Sequence, residues 1–281
     1  MSVRSYSDVP GFFLQDQPDA DPASIGAVPP RFGLIDNSDE RWRVLWQKVG
    51  RMNEEADDQT SYKVFILGRH GEGFHNVGEA KYGTLAWDEY WSKLDGDGEI
   101  IWGPDPELTS LGEEQAQLVN TAWKSEAKHG LSVPSSRYCS PLTRAMKTCL
   151  ITFDGVPSGA EHPAVILENC REEYGEHTCD KRHTRTWIST NFPDFVFEKG
   201  FTEEDEIWTA NDRESHTHAA IRAKSVLDMI FDTDNHEVIS ITAHGGIING
   251  FLSVLGRKRY ALPTGGVLPV VVKSTAQFVQ S

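Results

Sequence analysis

From about residue 62 onward, short apolar runs alternate with longer amphipathic stretches. The runs are KVFIL (63–67), SRYCS (136–140), AVILE (164–168), EVISITA (237–243) and VLPVVVK (267–273). They are rich in β-branched and aromatic residues and mostly continuous rather than alternating, the pattern of strands buried on both faces. The stretches between them follow a helical period. TSLGEEQAQLVNTAWKSEAKHG puts Gln115, Leu118, Val119 and Ala122 on one face, with Thr109 or Ser110 as N-cap and Gly130 as a stop. SPLTRAMKTCLITF opens with Ser140 as cap and Pro141 at the first helical position. THAAIRAKSVLDMIFD places Ala220, Ala223, Val226, Leu227 and Ile230 on one side, and GGIINGFLSVLG reads as a short apolar helix. Strands alternating with helices predict a three-layer α/β/α sandwich on a mostly parallel central sheet.

Two regions depart from that rhythm. Residues 1–60 read as an N-terminal extension packed on the body. They open Pro/Asp/Ser-rich and then offer one helix around DERWRVLWQKVGRMNEEA, where Trp42, Leu45, Trp46 and Val49 share a face. The remainder, 61–281, reads as one domain. Within it, residues 171–213 are polar and irregular, and a segment that long without strand signal is expected to be a lid or a substrate-selecting insertion.

Composition adds little to the fold but narrows the partners. The 281 residues are 38% hydrophobic and 25% charged, an ordinary globular balance. A formal net charge of −15 disfavours nucleic acid and anionic membrane surfaces as partners. An anionic substrate must then be met by a local cluster of cations. Apolar runs fall short of a membrane span, and Phe12-Phe13-Leu14 is too short for a signal-peptide core. Cys139, Cys149, Cys170 and Cys179 form no CxxC pair and no Asn-x-Ser/Thr acceptor occurs, so a reducing, cytoplasmic setting with buried thiols is expected; a Cys170–Cys179 disulfide is the alternative.

The chemistry collects just beyond the carboxyl end of each strand, where open α/β sheets bind ligands. After VFIL comes Gly68-Arg69-His70-Gly71; after RYCS, Pro141-Leu142-Thr143-Arg144; shortly after VILE, Arg171-Glu172-Glu173; after ISIT, Ala243-His244-Gly245-Gly246. Paired guanidiniums suit a dianionic tetrahedral ligand, and a helix opening at Gly245 adds free N–H groups. Cations around an imidazole keep it neutral and nucleophilic, which leaves a carboxyl to protonate the leaving oxygen. The set spells phosphoryl transfer through a phosphohistidine, with arginines rather than a metal or other cofactor neutralising the phosphate.

These residues resemble the histidine phosphatase superfamily on its phosphoglycerate-mutase-like branch. Arg-His-Gly appears in GRHGEGFHN, the second arginine in SPLTRAMKT, the closing histidine in TAHGG, and DPELTSLGEEQA looks like the family's lead-in to a helix. The stretches HN and REEYGEHTCDKR are most similar to plant and fungal members called mutase-like. The resemblance runs from about Tyr62 to about Lys273 and implies a phosphoglycerate-mutase-like fold. It implies that His70 becomes phosphorylated, that Arg69 and Arg144 clamp the phosphoryl group, and that His244 bonds its oxygens. Asn76 is implied as a further phosphate contact and Glu172 as the acid, with Glu173 the alternative register.

Blander readings attach to the rest. His75 either touches substrate or bridges loops. His177, Asp180 and Arg182 either read the substrate beyond its phosphate or form a salt-bridged lid. His216 and His218 look like a metal pair but lack further ligands at suitable spacing, so helix-start residues are expected. His129, His162, His183 and His236 are expected to be structural, and the EEDE run at 203–206 a solvated face. GEGFHNVG imitates a dinucleotide fingerprint, yet Asn76 stands in place of its third glycine. HGGIING has no GxSxG nucleophile to serve. The expected activity is hydrolysis of a small phosphate ester; a mutase with the same residues and a non-catalytic binding module are the alternatives.

Overall fold

A computed structural model describes residues 2–131, 133–156 and 163–278; His162 lies outside them. Among the described residues, seven strands form one sheet: β1 Ser2–Asp8, β2 Thr60–Arg69, β3 Ser136–Cys139, β4 Ala164–Ile166, β5 Phe195–Phe197, β6 Val238–Ala243 and β7 Val267–Phe278. Their order is β1-β7-β2-β6-β3-β4-β5. The five strands from β2 to β5 in that order run parallel, while β7 is antiparallel to both β2 and β1. Around the sheet lie α1 Pro22–Ile25, α2 Arg41–Glu54, α3 Phe74–Tyr82, α4 Thr84–Glu89, α5 Ser110–Ala127, α6 Thr143–Phe153, α7 Arg185–Asn191, α8 His216–Thr233 and α9 Gly245–Val254.

Successive residues of β2 explain the three layers, because strand side chains alternate between faces. Phe65 and Leu67 enter one core with Val226 and Ile230 of α8 and Phe251 of α9. Val64 and Ile66 enter the opposite core with Trp42 of α2 and Trp123 of α5. Pro269 sits inside β7 without cost to the β2 ladder. The neighbouring Val267 N–H points away from β2 to the Ala27 carbonyl, so the missing donor two residues on also faces away from β2.

The structure corrects several details of the pattern. β1 and β5 were absent from the apolar runs. β1 has the sequence SVRSYSD and finds its place by pairing with β7, from Asp8↔Val272 outward. β5 and α7 both lie within 171–213, so that segment carries more regular structure than its polarity suggested. On α5 the buried face is Ala116, Val119 and Trp123, while Leu118 points to solvent. Thr109 is its cap, accepting the Gly112 N–H. α6 begins at Thr143 rather than after Ser140, whose hydroxyl is used elsewhere. α2 docks as its periodicity predicts: Trp42 is fully buried, and Glu126 of α5 accepts from both Arg41 and the Trp42 indole. All four cysteines are free thiols and buried.

Candidate active site

Strand β2 ends in Arg69, and the chain then leaves the sheet with its backbone still anchored. The His70 N–H donates to Ala243 of β6, and the His70 carbonyl accepts from Gly265. The imidazole is thereby fixed at the carboxyl edge of two central strands, and it is almost wholly buried. Its Nδ1 lies 2.6 Å from the Gly71 carbonyl, which can only accept. The proton must therefore sit on Nδ1, which leaves the lone pair on Nε2. Burial, followed by the charges of Arg144 and Arg69, pushes the His70 pKa well below the usual histidine value. The ring is neutral at physiological pH and carries its nucleophilic edge into the site.

His244 ends β6 and caps α9, with its ring centroid 4.9 Å from that of His70. Its Nε2 is 2.7 Å from Ser140 Oγ, so the serine that follows β3 orients the ring instead of capping α6. Burial and then Arg144 depress its pKa strongly. Arg144 is buried in the first turn of α6, with Nη1 on the Cys179 carbonyl and Nη2 on Asp180. Asp105 secures that turn from another loop. Its carboxylate accepts both the backbone N–H and the hydroxyl of Thr143, supplying the cap that Leu142 lacks. Burial raises the Asp105 pKa to about 7 against the opposing pull of Arg144 and the Thr143 bonds. Arg69 is tethered by Nη1 to the Leu262 carbonyl.

Among the described residues, four buried nitrogens of this cluster have no hydrogen-bond partner: Arg69 Nε, Arg144 Nε, His75 Nδ1 and His244 Nδ1. Unsatisfied buried polar atoms are costly, and four of them on residues of one cluster mark a place where a polar ligand belongs. The Gly245 N–H at the start of α9 is likewise bonded to no described residue.

Glu172 and Glu173 separate cleanly. Glu172 turns inward, its Oε2 accepting the Gly246 N–H at 3.1 Å and its Oε1 the Glu173 N–H. Glu173 turns outward onto the exposed His216. Gly246 is needed for this arrangement, because a Cβ there would overlap Glu172 Oε1. Burial, then the Asp180 charge, raises the Glu172 pKa, which suits a carboxylic acid held protonated for donation. Arg222 of α8 holds the backbone beneath it, donating to the carbonyls of Asn169, Arg171 and Glu172.

The remaining predicted residues fare unequally. His75 stands beside His70 with ring centroids 5.3 Å apart, on the inside of the site. Asn76 Oδ1 accepts the Gly73 N–H and so closes the first turn of α3, while its Nδ2 is bonded to no described residue. His177 is half-buried at the mouth, edge-on to Trp87 and 3.7 Å from Asp88. Arg182 is not brought to the site. Its guanidinium is buried and its donors go to Glu168, Thr202 and the carbonyls of His183, Glu203 and Glu204, so it ties the 171–213 segment together and has no nitrogen left over. Asp180 likewise serves Arg144 and Arg213. Within EEDE, Asp205 is not solvated but takes both terminal nitrogens of the buried Arg171. His216 and His218 bond different carboxylates, Glu173 and Glu214, and do not converge.

Gly71 is required for packing: a Cβ there would strike the Gly112 backbone at the start of α5. Sequence reasoning missed Asp105 and Arg213. Asp105 lies 38 residues before Thr143, and the only signal was its place in the DPELT motif. Arg213, in NDRESH, carried no signal at all.

An α/β sandwich presenting two histidines, two arginines and an inward carboxyl at the carboxyl edge of its parallel strands defines a phosphoryl-handling class of site. Residues 65–264 match the histidine phosphatase superfamily (branch 1), and the chain belongs to that superfamily. It is 42% identical to a protein of Arthroderma benhamiae named "Probable phosphoglycerate mutase", over 96% of this chain and 84% of the relative. It is 34% identical to "Phosphomutase-like protein 3" of Candida albicans, over 97% of this chain and 81% of that one. Among solved structures it is similar to a mycobacterial glucosyl-3-phosphoglycerate phosphatase, with 18% identity, a TM-score of 0.44, and coverage of 74% of this chain and 92% of the other. No helix among the described residues is long and apolar enough to cross a membrane.

Proposed function

We propose that the protein is a phosphomonoesterase that acts on a small phosphate ester through a phosphohistidine at His70. In the first step the His70 Nε2 lone pair attacks phosphorus as the ester P–O bond breaks. Glu172 gives its proton to the departing oxygen, releasing an alcohol. A water oxygen then attacks phosphorus, Glu172 takes back a proton, and the P–N bond breaks to free inorganic phosphate. Arg69, Arg144 and the His244 ring would bind the phosphoryl oxygens, and their fixed positions stabilise charge in the transition state without reorganisation. The arginines supply the positive charge, so the step requires no metal.

The observation that carries this reading is the Nδ1 contact of His70 to Gly71, in a cluster whose Arg69, Arg144, His75 and His244 each keep an unpartnered buried nitrogen. It supports a neutral nucleophile facing a site built for an anion. The names of the fungal relatives favour a second reading, a mutase that returns the phosphoryl group to its product. Rapid quenching with p-nitrophenyl phosphate should trap an acid-labile phosphate on His70, and 3-phosphoglycerate should yield free phosphate rather than its isomer. Isomer formation without phosphate release would decide for the mutase; turnover undiminished in His70→Ala would overturn both.

The two pKa shifts set a pH window. His70 must be neutral, so activity falls as pH drops through its lowered pKa. Glu172 must be protonated, so activity falls as pH rises through its raised pKa. A bell-shaped profile of kcat/KM is expected; one climbing steadily into alkali would remove Glu172 from its role.

A further inference from the structure

A third arginine stands at the leaving-group side of the site, and its surroundings restrict the substrate. Arg213 is placed by backbone stitching between the Glu172 loop and the segment ahead of α8. The Glu176 N–H donates to Thr209, and the Glu214 N–H to Tyr174. Gly175, at φ 87°, makes the crossing tight enough that a Cβ there would strike the Asp212 carbonyl. The Arg213 Nη1 then donates to the Gly175 carbonyl and to Asp180 Oδ2. No described residue bonds its Nε or Nη2, and its side chain remains 27% exposed. Burial opposes its charge, but Asp180 and then Glu172 more than offset that; the shared Asp180 places the guanidinium one carboxylate away from Arg144.

Charge accounting decides what such a residue reads. Asp180 bridges Arg144 and Arg213 through its two oxygens, so that trio carries a single net positive charge. Adding Arg69 gives two, which matches one dianionic phosphoryl group and leaves nothing over for a second anion. The mouth adds more acid than base: Glu173 on His216, Asp88 near His177, and Glu176 opposite Lys93. What Arg213 still offers is N–H donors, not uncompensated charge.

We infer that Arg213 is a specificity-determining residue whose free N–H edge hydrogen-bonds a hydroxyl of the leaving group, so that the substrate is the monophosphate of a neutral, hydroxyl-bearing alcohol such as a sugar or polyol. This rests on the phosphomonoesterase reading above. A site that hydrogen-bonds a substrate hydroxyl discriminates strongly against compounds that lack it or carry a repelled charge instead.

The test is a comparison of kcat/KM for ribose 5-phosphate, glycerol phosphate, 3-phosphoglycerate and p-nitrophenyl phosphate. The wild-type protein should prefer ribose 5-phosphate and glycerol phosphate, whose leaving groups are hydroxylated and uncharged, to 3-phosphoglycerate, whose leaving group carries a carboxylate, by at least about tenfold. Arg213→Met should lower kcat/KM on ribose 5-phosphate about tenfold more than on p-nitrophenyl phosphate, whose leaving group has no hydroxyl to lose. Equal losses on the two substrates would make Arg213 a support for Arg144 only and overturn the inference. So would a wild-type preference for 3-phosphoglycerate, a result that needs no variant to fold. The underlying reading fails differently: the wild-type protein would then form no phosphohistidine from any of the four compounds.

Discussion

The two halves of the site are held by different means. In one half, Arg69, His70 and His244 stand at or just beyond the ends of strands β2 and β6, and Arg144 in the first turn after β3. Backbone ladders fix their positions, and the register sets where the side chains point. In the other, Glu172, His177, Asp180 and Arg213 sit on connecting segments that no ladder reaches. There, buried ion pairs take the place of the ladder: Arg171 with Asp205, Arg182 with Glu168, Arg222 with Glu214. A strand end can deliver a reacting atom with little local help, whereas a lid must be tied at many points before it can position a single carboxyl.

The sharpest test of the ladder-held half is His70→Ala. It should abolish phosphohistidine formation and lower kcat by at least about three orders of magnitude while the thermal unfolding midpoint stays close to wild type. A comparable loss of stability would mean that the nucleophile is also a structural tie, and the contrast between the halves would weaken. Next in size is the pair of glutamates. Glu172→Gln should cost about a hundredfold or more in kcat on alkyl phosphates and much less on p-nitrophenyl phosphate, which departs without a proton. Glu173→Gln should stay within about threefold on both. If the two variants behave alike, the inward and outward placement does not govern the chemistry.

The tied half is probed by Arg182→Met, which leaves Glu168 with Arg171 alone and takes the buried donor from the carbonyls of His183 and Thr202. A loss of about 3 kcal/mol in urea unfolding, with faster proteolysis between residues 171 and 213, is the expected outcome. An unchanged cleavage rate would show that the lid is held some other way. The last test concerns Asp105. Its folded pKa of about 7 lies above the ordinary aspartate value, so its contribution to stability is fully present below about pH 4 and is lost as pH rises through 7. Asp105→Asn should therefore gain on the wild-type protein between pH 4 and pH 7 in denaturant titrations. A pH-independent difference would place that carboxyl outside the titrating set.

The same division explains what could be read from the chain beforehand. β2, β3, β4, β6 and β7 were legible because burial on both faces forces a continuous apolar run, and the reactive residues were legible because they come directly after those runs. β1 was hidden because SVRSYSD carries its strand character only in partnership with β7, nearly the whole chain away. β5 was hidden because FVF stands between Asp194 and Glu198 with its middle residue, Val196, exposed, so it extends into no longer apolar run. Glu172 could be named but not separated from Glu173, since the choice depends on Gly246 leaving room beside α9. Arg182 looked like a substrate contact because a lone arginine in a lid gives no hint of the carbonyls that will surround it. Arg213 and Asp105 act through partners distant in sequence, and no local pattern encodes such a meeting.

The pairing of β1 with β7 has a consequence for handling the protein. β7 is a 12-residue strand with three consecutive valines, and its outer edge from Val272 to Phe278 is covered by Ser2–Asp8. Shortening the chain by its first ten residues would uncover the edge of β7 from Val272 to Phe278, a seven-residue ladder of unpaired N–H and C=O groups and a ready template for association with another molecule. A truncated protein would be expected to self-associate before it lost activity, because β1 pairs with the far end of β7, away from the Gly265 and Gly266 contacts that hold His70 and Arg69. The opening residues, with Arg4 and Asp8 along them, thus serve as a charged selvage that keeps one sheet from growing onto the next.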